Sequence, residues 1–527
     1  MDKKALLAVV LSVAVLILYQ YFLVPKRVPV PAAPVSQTAA TSQMAANAPI
    51  AQEKPAAMAA TSAAALSQGA QKTVPEHIVT VETDQYVARF SSVGGVPDYW
   101  MLKKFKGDTK QTKNQNVVIL TPGGSPAPLA LGLVSDFDAA NLNFTVTGGG
   151  DLKLDKSHPE GKIVFEYTSG QALIRRTYTF HNDQYRVDLK DEVKGFPNYQ
   201  ITLGPDFGIY SREGGRGVHV GPVLLSGTDR IEVTPKKLEH GTISYTQDVK
   251  WIAQEDKYFC SAIVPHSKMD EAAAFMQNGN PIITFRAKNP SVEKFAIYAG
   301  PKKQSDLAAL GSGLQYIVDF GFFSIIARPI LWLLNLINGE IGNYGWSIIA
   351  LTILIRIPFL PIVAKGQKSM KKLQMVQPMM QEIRQKYKKD PQRMQREMME
   401  LYKKHKVNPM GGCLPMLLQI PVFFALYKVL LIDVSLRGAP FALWITDLSQ
   451  KDPYYVLPII MGATMFLQQK MTPAAPGNPA QQKLMLFMPV IFTFMFLNFA
   501  SGLVLYWLVN NMLSVAQQAY INKKVTV

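Results

Sequence analysis

The sequence predicts a multi-domain membrane protein: an all-β sandwich domain joined to an α-helical transmembrane bundle of six spans with a cytoplasmic helical hairpin. Three observations predict it. Hydrophobic residues make up 48% of the 527 positions and charged residues 18%, against about 25% charged in ordinary soluble domains. The apolar excess collects at the extreme N-terminus and after residue 320. Between these regions short runs alternate apolar and polar, the period of a half-buried strand. Finally, Lys365–Lys406 holds 13 Lys/Arg against 4 Asp/Glu, a net +9 of the formal +17. A basic stretch between apolar spans marks a cytoplasmic loop more often than a nucleic-acid site.

The first element is an N-terminal anchor at residues 1–24. Ala5–Val24 is uncharged for 20 residues, about 30 Å of helix, enough to cross a hydrocarbon core and longer than a signal-peptide core. Residues 25–76 are rich in Ala, Pro, Gln, Ser and Thr without an aromatic residue, so they form a flexible linker that buries too little to fold. Residues 77–301 carry "HIVTVET", "YVARFSS", "KIVFEYTS", "LIRRTYTF" and "YRVDLKDEV" between Gly, Pro, Asn and Asp turns, the pattern of an antiparallel sandwich. Its histidines (His77, His158, His181, His219, His240, His266) show no metal-ligand spacing and read as isolated surface residues. Two cysteines, Cys260 and Cys413, lie far apart, which argues against a disulfide framework or thiolate metal site.

Residues 314–338, interrupted by Arg328-Pro329, fit an amphipathic interfacial helix. A second transmembrane span follows at 344–364 and the helical hairpin at 365–408, jointed at Asp390-Pro391. Spans three to six fill 409–520, near 412–432, 454–470, 484–500 and 502–520, before a tail at 521–527. Parity then sets topology. With the basic hairpin inside, the β-domain is outside and both termini are cytoplasmic. Residues 433–452, with two Lys/Arg and three Asp, fall outside, while Lys470, Lys483, Lys523 and Lys524 fall inside.

Arg356 is the most informative residue, about twelve positions into a span of about twenty. A charge at mid-membrane costs about 2.5–3.5 kcal/mol on insertion scales, so it faces a bundle interior, a partner acid or water. No Asp or Glu lies inside the later spans, which favours a hydrated cavity over an ion pair. Thr352 lies one turn earlier on the same face, Gln419 is in the next span, and Asn510, Asn511 and Gln517 are in the last. Seven methionines between Met370 and Met399 suit hairpin packing or a surface for varied apolar segments, and the basic face suits anionic lipid headgroups or RNA. Met375, Met379 and Met398 with Lys371, Lys372 and Arg393 are the candidate hairpin surface. There is no Walker loop, HExxH or GxSxG, and so no catalytic residue, metal or cofactor is expected.

"KVNPMGGCLPMLLQIPVFFALYKVL", "APFALWITDLSQKDPYYVLPIIMGATMFLQQKM", "FMPVIF" and "SGLVLYW" resemble the YidC membrane protein insertases of Gram-negative bacteria, in the YidC/Oxa/Alb family. The likeness is colinear from about residue 320 to 520 and extends less specifically to "WIAQEDKYF" in the β-domain. It implies a periplasmic β-supersandwich and a conserved five-helix core, whose groove opens to cytoplasm and lipid in the cell inner membrane. It places the groove arginine, threonine and glutamine on Arg356, Thr352 and Gln419. A substrate-contacting tyrosine falls on Trp507, beside Tyr506, which keeps an aromatic group but loses a hydroxyl. The implied activity is insertion and chaperoned folding of nascent inner-membrane proteins, alone or with the SecYEG translocon and accessory Sec components, ribosomes and a targeting receptor. From the residues alone, a small-solute transporter and an anchored sugar-active enzyme remain alternatives. The first predicts repeated halves, which the spans lack, and the second a carboxylate pair in a cleft.

Overall fold

The computed structural model describes residues 75–527 apart from 109–111, 149, 213–217, 406–413, 472–478 and 525–527. The anchor read at 1–24, nearly all of the linker read at 25–76, and Cys413 lie outside the described residues.

Each of the five alternating runs quoted above is a strand: Ile78–Glu82, Tyr86–Ser91, Glu160–Ser169, Ala172–His181 and Arg186–Lys194. Burial alternates strictly along Ala172–His181, so one face of the strand meets the core and the other solvent. A nine-stranded sheet runs from Asp229–Glu232 at one edge through Phe259–Pro265 and Val292–Pro301 to Thr145–Thr147 at the other. Two five-stranded sheets pack on it. Phe90 of one lies 4.9 Å from Tyr178, and Tyr199 of the other stacks on Phe295 at 6.0 Å. Antiparallel pairing puts Glu160 opposite His181, which corrects the reading of all six histidines as isolated on the surface. His181 sits 3.3 Å from Glu160 and 2.9 Å from Asp188, and the His219 ring, 7% exposed, bonds the Pro222 carbonyl.

The core holds a fully buried ion pair. Arg176 and Asp191, both fully buried, meet at 3.0 and 3.1 Å, and Arg176 also donates to the carbonyl of Leu129 at 2.8 Å. The same core encloses Cys260, whose thiol burial pushes well above its ordinary range. A thiolate is the reactive form. Cys260 should therefore resist alkylation in the folded chain and react at the rate of a free thiol once denatured. Peptide mapping after a timed iodoacetamide pulse checks this, and rapid native labelling would contradict it.

Ten α-helices are described after the sandwich: α1 (Gln304–Ala309), α2 (Ser324–Ile341), α3 (Tyr344–Arg356), α4 (Leu360–Met375), α5 (Gln377–Lys386), α6 (Pro391–Lys404), α7 (Leu414–Ile432), α8 (Val456–Met471), α9 (Pro479–Phe496) and α10 (Ser501–Lys524). Helix α10 packs against α3, α4, α7 and α8, while α2 packs on α3 and α7. Outward faces carry large apolar side chains, among them Ile325 at 87% exposure, Phe494 at 69% and Phe487 at 64%. So continuous an apolar surface does not stand in water. Two described stretches are long and apolar enough to cross a membrane, Gly321–Ile341 and Tyr344–Met370. The first includes most of the segment read as interfacial, and its helix proper begins at Ser324 rather than Leu314.

The loop between α7 and α8, residues 433–455, is pinned at several points. The Asn343 amide donates to the carbonyl of Phe441, and a Cβ on Gly345 would lie 2.0 Å from the Phe441 ring. Only glycine allows this approach. Ser501 bonds the Gln450 carbonyl, while Asp452 accepts from Trp444 Nε1 and from the amide of Leu457 in α8. Arg437 reaches from this loop into the sandwich. Its guanidinium lies 5.2–5.3 Å from the rings of Tyr210, Tyr258 and Phe259 and 3.4 Å from Asp108, and it donates to the Lys106 carbonyl. Cation–π and ionic contacts thus join the two regions.

Candidate functional site

Helix α3 starts on an Asn343 cap that accepts from the amides of Gly345 and Trp346 and ends at Arg356. Two residues later Pro358 offers no N–H for the α-helical ladder, and the chain tightens to a 3-10 turn over Ile357–Phe359. Arg356 therefore sits at a joint, its side chain directed at α10. Nη1 donates to Asn510 Oδ1 at 2.5 Å and to the Asn510 carbonyl at 3.2 Å. Nη2 donates to Ser514 Oγ at 2.7 Å and to Gln517 Oε1 at 3.4 Å. Asn510, Ser514 and Gln517 follow the four-and-three spacing of one helix face. Asn510 Oδ1 also accepts from Gln419 Nε2 at 3.2 Å, which brings α7 into the same network.

Every acceptor of this guanidinium is a neutral oxygen, and among the described residues no carboxylate lies within ion-pair distance of it. Neutral dipoles satisfy donors without cancelling charge, so the positive potential stays available to an incoming anion. Nε is buried without an acceptor.

Two cavities meet along a wall of Gln419, Tyr506 and Asn510. The smaller, about 30 Å³, touches Thr352 and Arg356 and holds roughly one water. The larger, about 450 Å³, opens between α7, α8, α9 and α10, where Gln468, Gln469 and Asn511 face Ile420, Phe423, Met488 and Phe492. The space beside Arg356 is small, and the wider cavity begins behind Tyr506. Thr352 donates to the Ile348 carbonyl at 2.6 Å, which ties up its proton within its own helix. Trp507 lines the larger cavity and packs 4.8 Å from Phe423 and 4.9 Å from Phe496.

The structure brings Arg356, Thr352, Gln419, Tyr506 and Asn510 around the smaller cavity, and Gln419, Tyr506, Trp507 and Asn510 around the larger. Sequence reasoning missed Ser514, Gln468 and Gln469. The Asn510–Ser514–Gln517 spacing was an available signal for the first. On the helical hairpin, Leu373, Val376 and Met380 are buried, with Met370, Met398, Leu401 and Tyr402 packed against them. Met398 is therefore part of the packing rather than an open surface. Met375 and Met379 are 74% and 43% exposed, and Met399, which the reading left out, is 58% exposed. Lys372 and Arg393 are also exposed, Arg393 lying 5.2 Å from the Tyr387 ring; the Lys371 side chain lies outside the described residues.

Comparison with known proteins adds the family context. A family model described as 60Kd inner membrane protein matches residues 336–526, and one described as YidC periplasmic domain matches residues 78–333. A membrane protein insertase YidC of Syntrophus aciditrophicus is 40% identical over 560 residues, covering 99% of this chain and 100% of the relative. Another, from Citrifermentans bemidjiense, is 40% identical over 541 residues and covers 100% of both. Among solved structures, a crystal structure of an active YidC insertase with its first transmembrane domain resolved aligns to 84% of this chain and 94% of its own, at 17% identity and a TM-score of 0.37.

Proposed function

Because the chain belongs to the YidC membrane protein insertase family, and so is an inner-membrane protein with a periplasmic domain that inserts other proteins into that membrane rather than an enzyme, we propose that Arg356 and the two adjoining cavities are its insertion site. The single observation that carries this reading is a guanidinium held only by neutral groups. In the proposed cycle, the polar and often acidic flank of a nascent protein moves toward Arg356 while its apolar segment slides between α7 and α9 into lipid. Gln419, Asn510 and Tyr506 offer hydrogen bonds to the incoming flank, Thr352 fixes the helix face, and Trp507 with Phe423 gives the apolar segment an aromatic wall. The driving force is burial of about 20 apolar residues, assisted by the membrane potential acting on acidic flanks.

The remaining architecture follows from the same reading. Six spans, counting an anchor within residues 1–24, leave both termini in the cytoplasm and the 77–301 domain in the periplasm. Helices α5 and α6, with the end of α4, form the cytoplasmic helical hairpin over 365–408. Its exposed Met375, Met379 and Lys372 meet nascent chains, ribosomes with their targeting receptor, or anionic phospholipids. Partnership with the SecYEG translocon belongs to the same proposal.

Site-specific photocrosslinking tests the route. Probes at Thr352, Gln419 and Trp507 should each capture a stalled nascent membrane protein, with Trp507 favouring its apolar segment and Thr352 its polar flank. Capture only from outward residues such as Phe494 would remove the groove from the mechanism.

A further inference from the structure

Between the sandwich and the loop 433–455 lies a cleft of about 820 Å³ that the proposed insertion route does not use. Its walls carry Lys104, Lys106, Lys113, Arg437 and Lys451 against two carboxylates, Asp108 and Asp447. Both acids are engaged, Asp108 with Arg437 at 3.4 Å and Asp447 with the amide and hydroxyl of Ser449 at 2.8 and 2.7 Å. Among the described residues none of the four lysines has a carboxylate within ion-pair distance, and Lys106 bonds only the neutral Asn116 side chain.

Arg437 supplies an independent observation. Its side chain is 5% exposed, yet its Nε–H has no acceptor, and a buried donor left unpaired is costly. Trp444 and Ile445 give the same cleft an apolar wall. At this end of the bundle Leu443, Tyr454 and Trp346 are 86%, 68% and 53% exposed, Trp346 packing on Phe441 and Tyr454 on Trp444. Aromatic and apolar groups ringing a helix-bundle end mark the headgroup level of a membrane.

We propose that this cleft holds the phosphodiester headgroup of an anionic phospholipid of the outer leaflet, with its phosphate among the lysines and Arg437 and its upper chain over Trp444 and Ile445. The inference rests on the reading that the loop 433–455 faces the periplasm. The full chain carrying p-benzoylphenylalanine in place of Thr446, in vesicles of equal phosphatidylglycerol and phosphatidylcholine, gives the test. Crosslinking to phosphatidylglycerol should exceed that to phosphatidylcholine about fivefold and fall to near parity with Lys104→Gln, Lys106→Gln and Lys451→Gln combined. Equal capture by the unsubstituted cleft, an undiminished preference in the triple variant, or displacement of the lipid by a soluble acidic peptide would each overturn it. Labelling of Thr446→Cys in a Cys413→Ser background by an impermeant thiol reagent on intact cells checks the topology separately. Protection from outside would sink the topology, whatever the crosslink ratio.

Discussion

Arg356→Ala should slow insertion of clients with acidic flanks about tenfold or more, while clients with neutral flanks lose far less. The expectation comes from charge rather than fold. Asn510, Ser514 and Gln517 are neutral, so removing the guanidinium strands no partner ion, and these groups remain free to bond one another or water. What disappears is attraction for a carboxylate in a partly hydrated site, about 1–2 kcal/mol at an intermediate dielectric, where 1.36 kcal/mol is a factor of ten in rate. Arg356→Lys should retain most of the rate, because the charge survives even though the planar fork does not. The measurement is a protease-protection assay in reconstituted vesicles, with paired clients differing only by Asp→Asn in the flank. Equal insertion of the pair by the native protein, or no difference between the alanine and lysine variants, would sink the electrostatic role.

A second large effect belongs to the sandwich and separates it from insertion. Arg176→Ala leaves Asp191 buried, with Tyr199 at 2.7 Å still bonding it, and leaves the Leu129 carbonyl without its donor. Breaking a buried pair from one side costs about 3–5 kcal/mol, a large part of the 5–15 kcal/mol that holds a typical domain. Cys260 reports the consequence: its alkylation in the variant should rise by orders of magnitude. Replacing both partners with apolar residues, Arg176→Met with Asp191→Leu, should restore much of the protection. Insertion should continue in each variant, since α3 and α7–α10 supply every residue of the proposed route, and it should also survive deletion of most of residues 77–300. Continued protection of Cys260 in Arg176→Ala contradicts the energetic argument. Insertion falling in step with Cys260 exposure contradicts the division of labour.

What the sequence disclosed and what it hid divide along the distance over which the physics acts. Alternation is local, and the strands at Ile78–Glu82 and Ala172–His181 are readable from their own residues. Arg356 announces itself because a mid-span charge is expensive wherever the rest of the chain goes. The inward turn of Arg176 is a different matter. In "LIRRTYTF" two adjacent arginines point to opposite faces, and nothing local says that Asp191 waits across the ladder for one of them. The Arg437 cage is less visible still, drawing on Asp108, Tyr210, Tyr258 and Phe259. Ser514 escaped for a simpler reason. A serine in an apolar helix reads as neutral until its spacing from Asn510 and Gln517 is counted.

The size of the larger cavity also limits what the proposed route can handle. Walled by α7, α8, α9 and α10, that space measures about 450 Å³. At about 30 Å³ per water, such a space accommodates a volume of roughly fifteen solvent molecules. On the proposed route a brief hydrophilic stretch fits within it, whereas an extensive one exceeds it. Cargo with long hydrophilic tails should therefore depend on a true conduit alongside, whereas short-tailed cargo should manage without one.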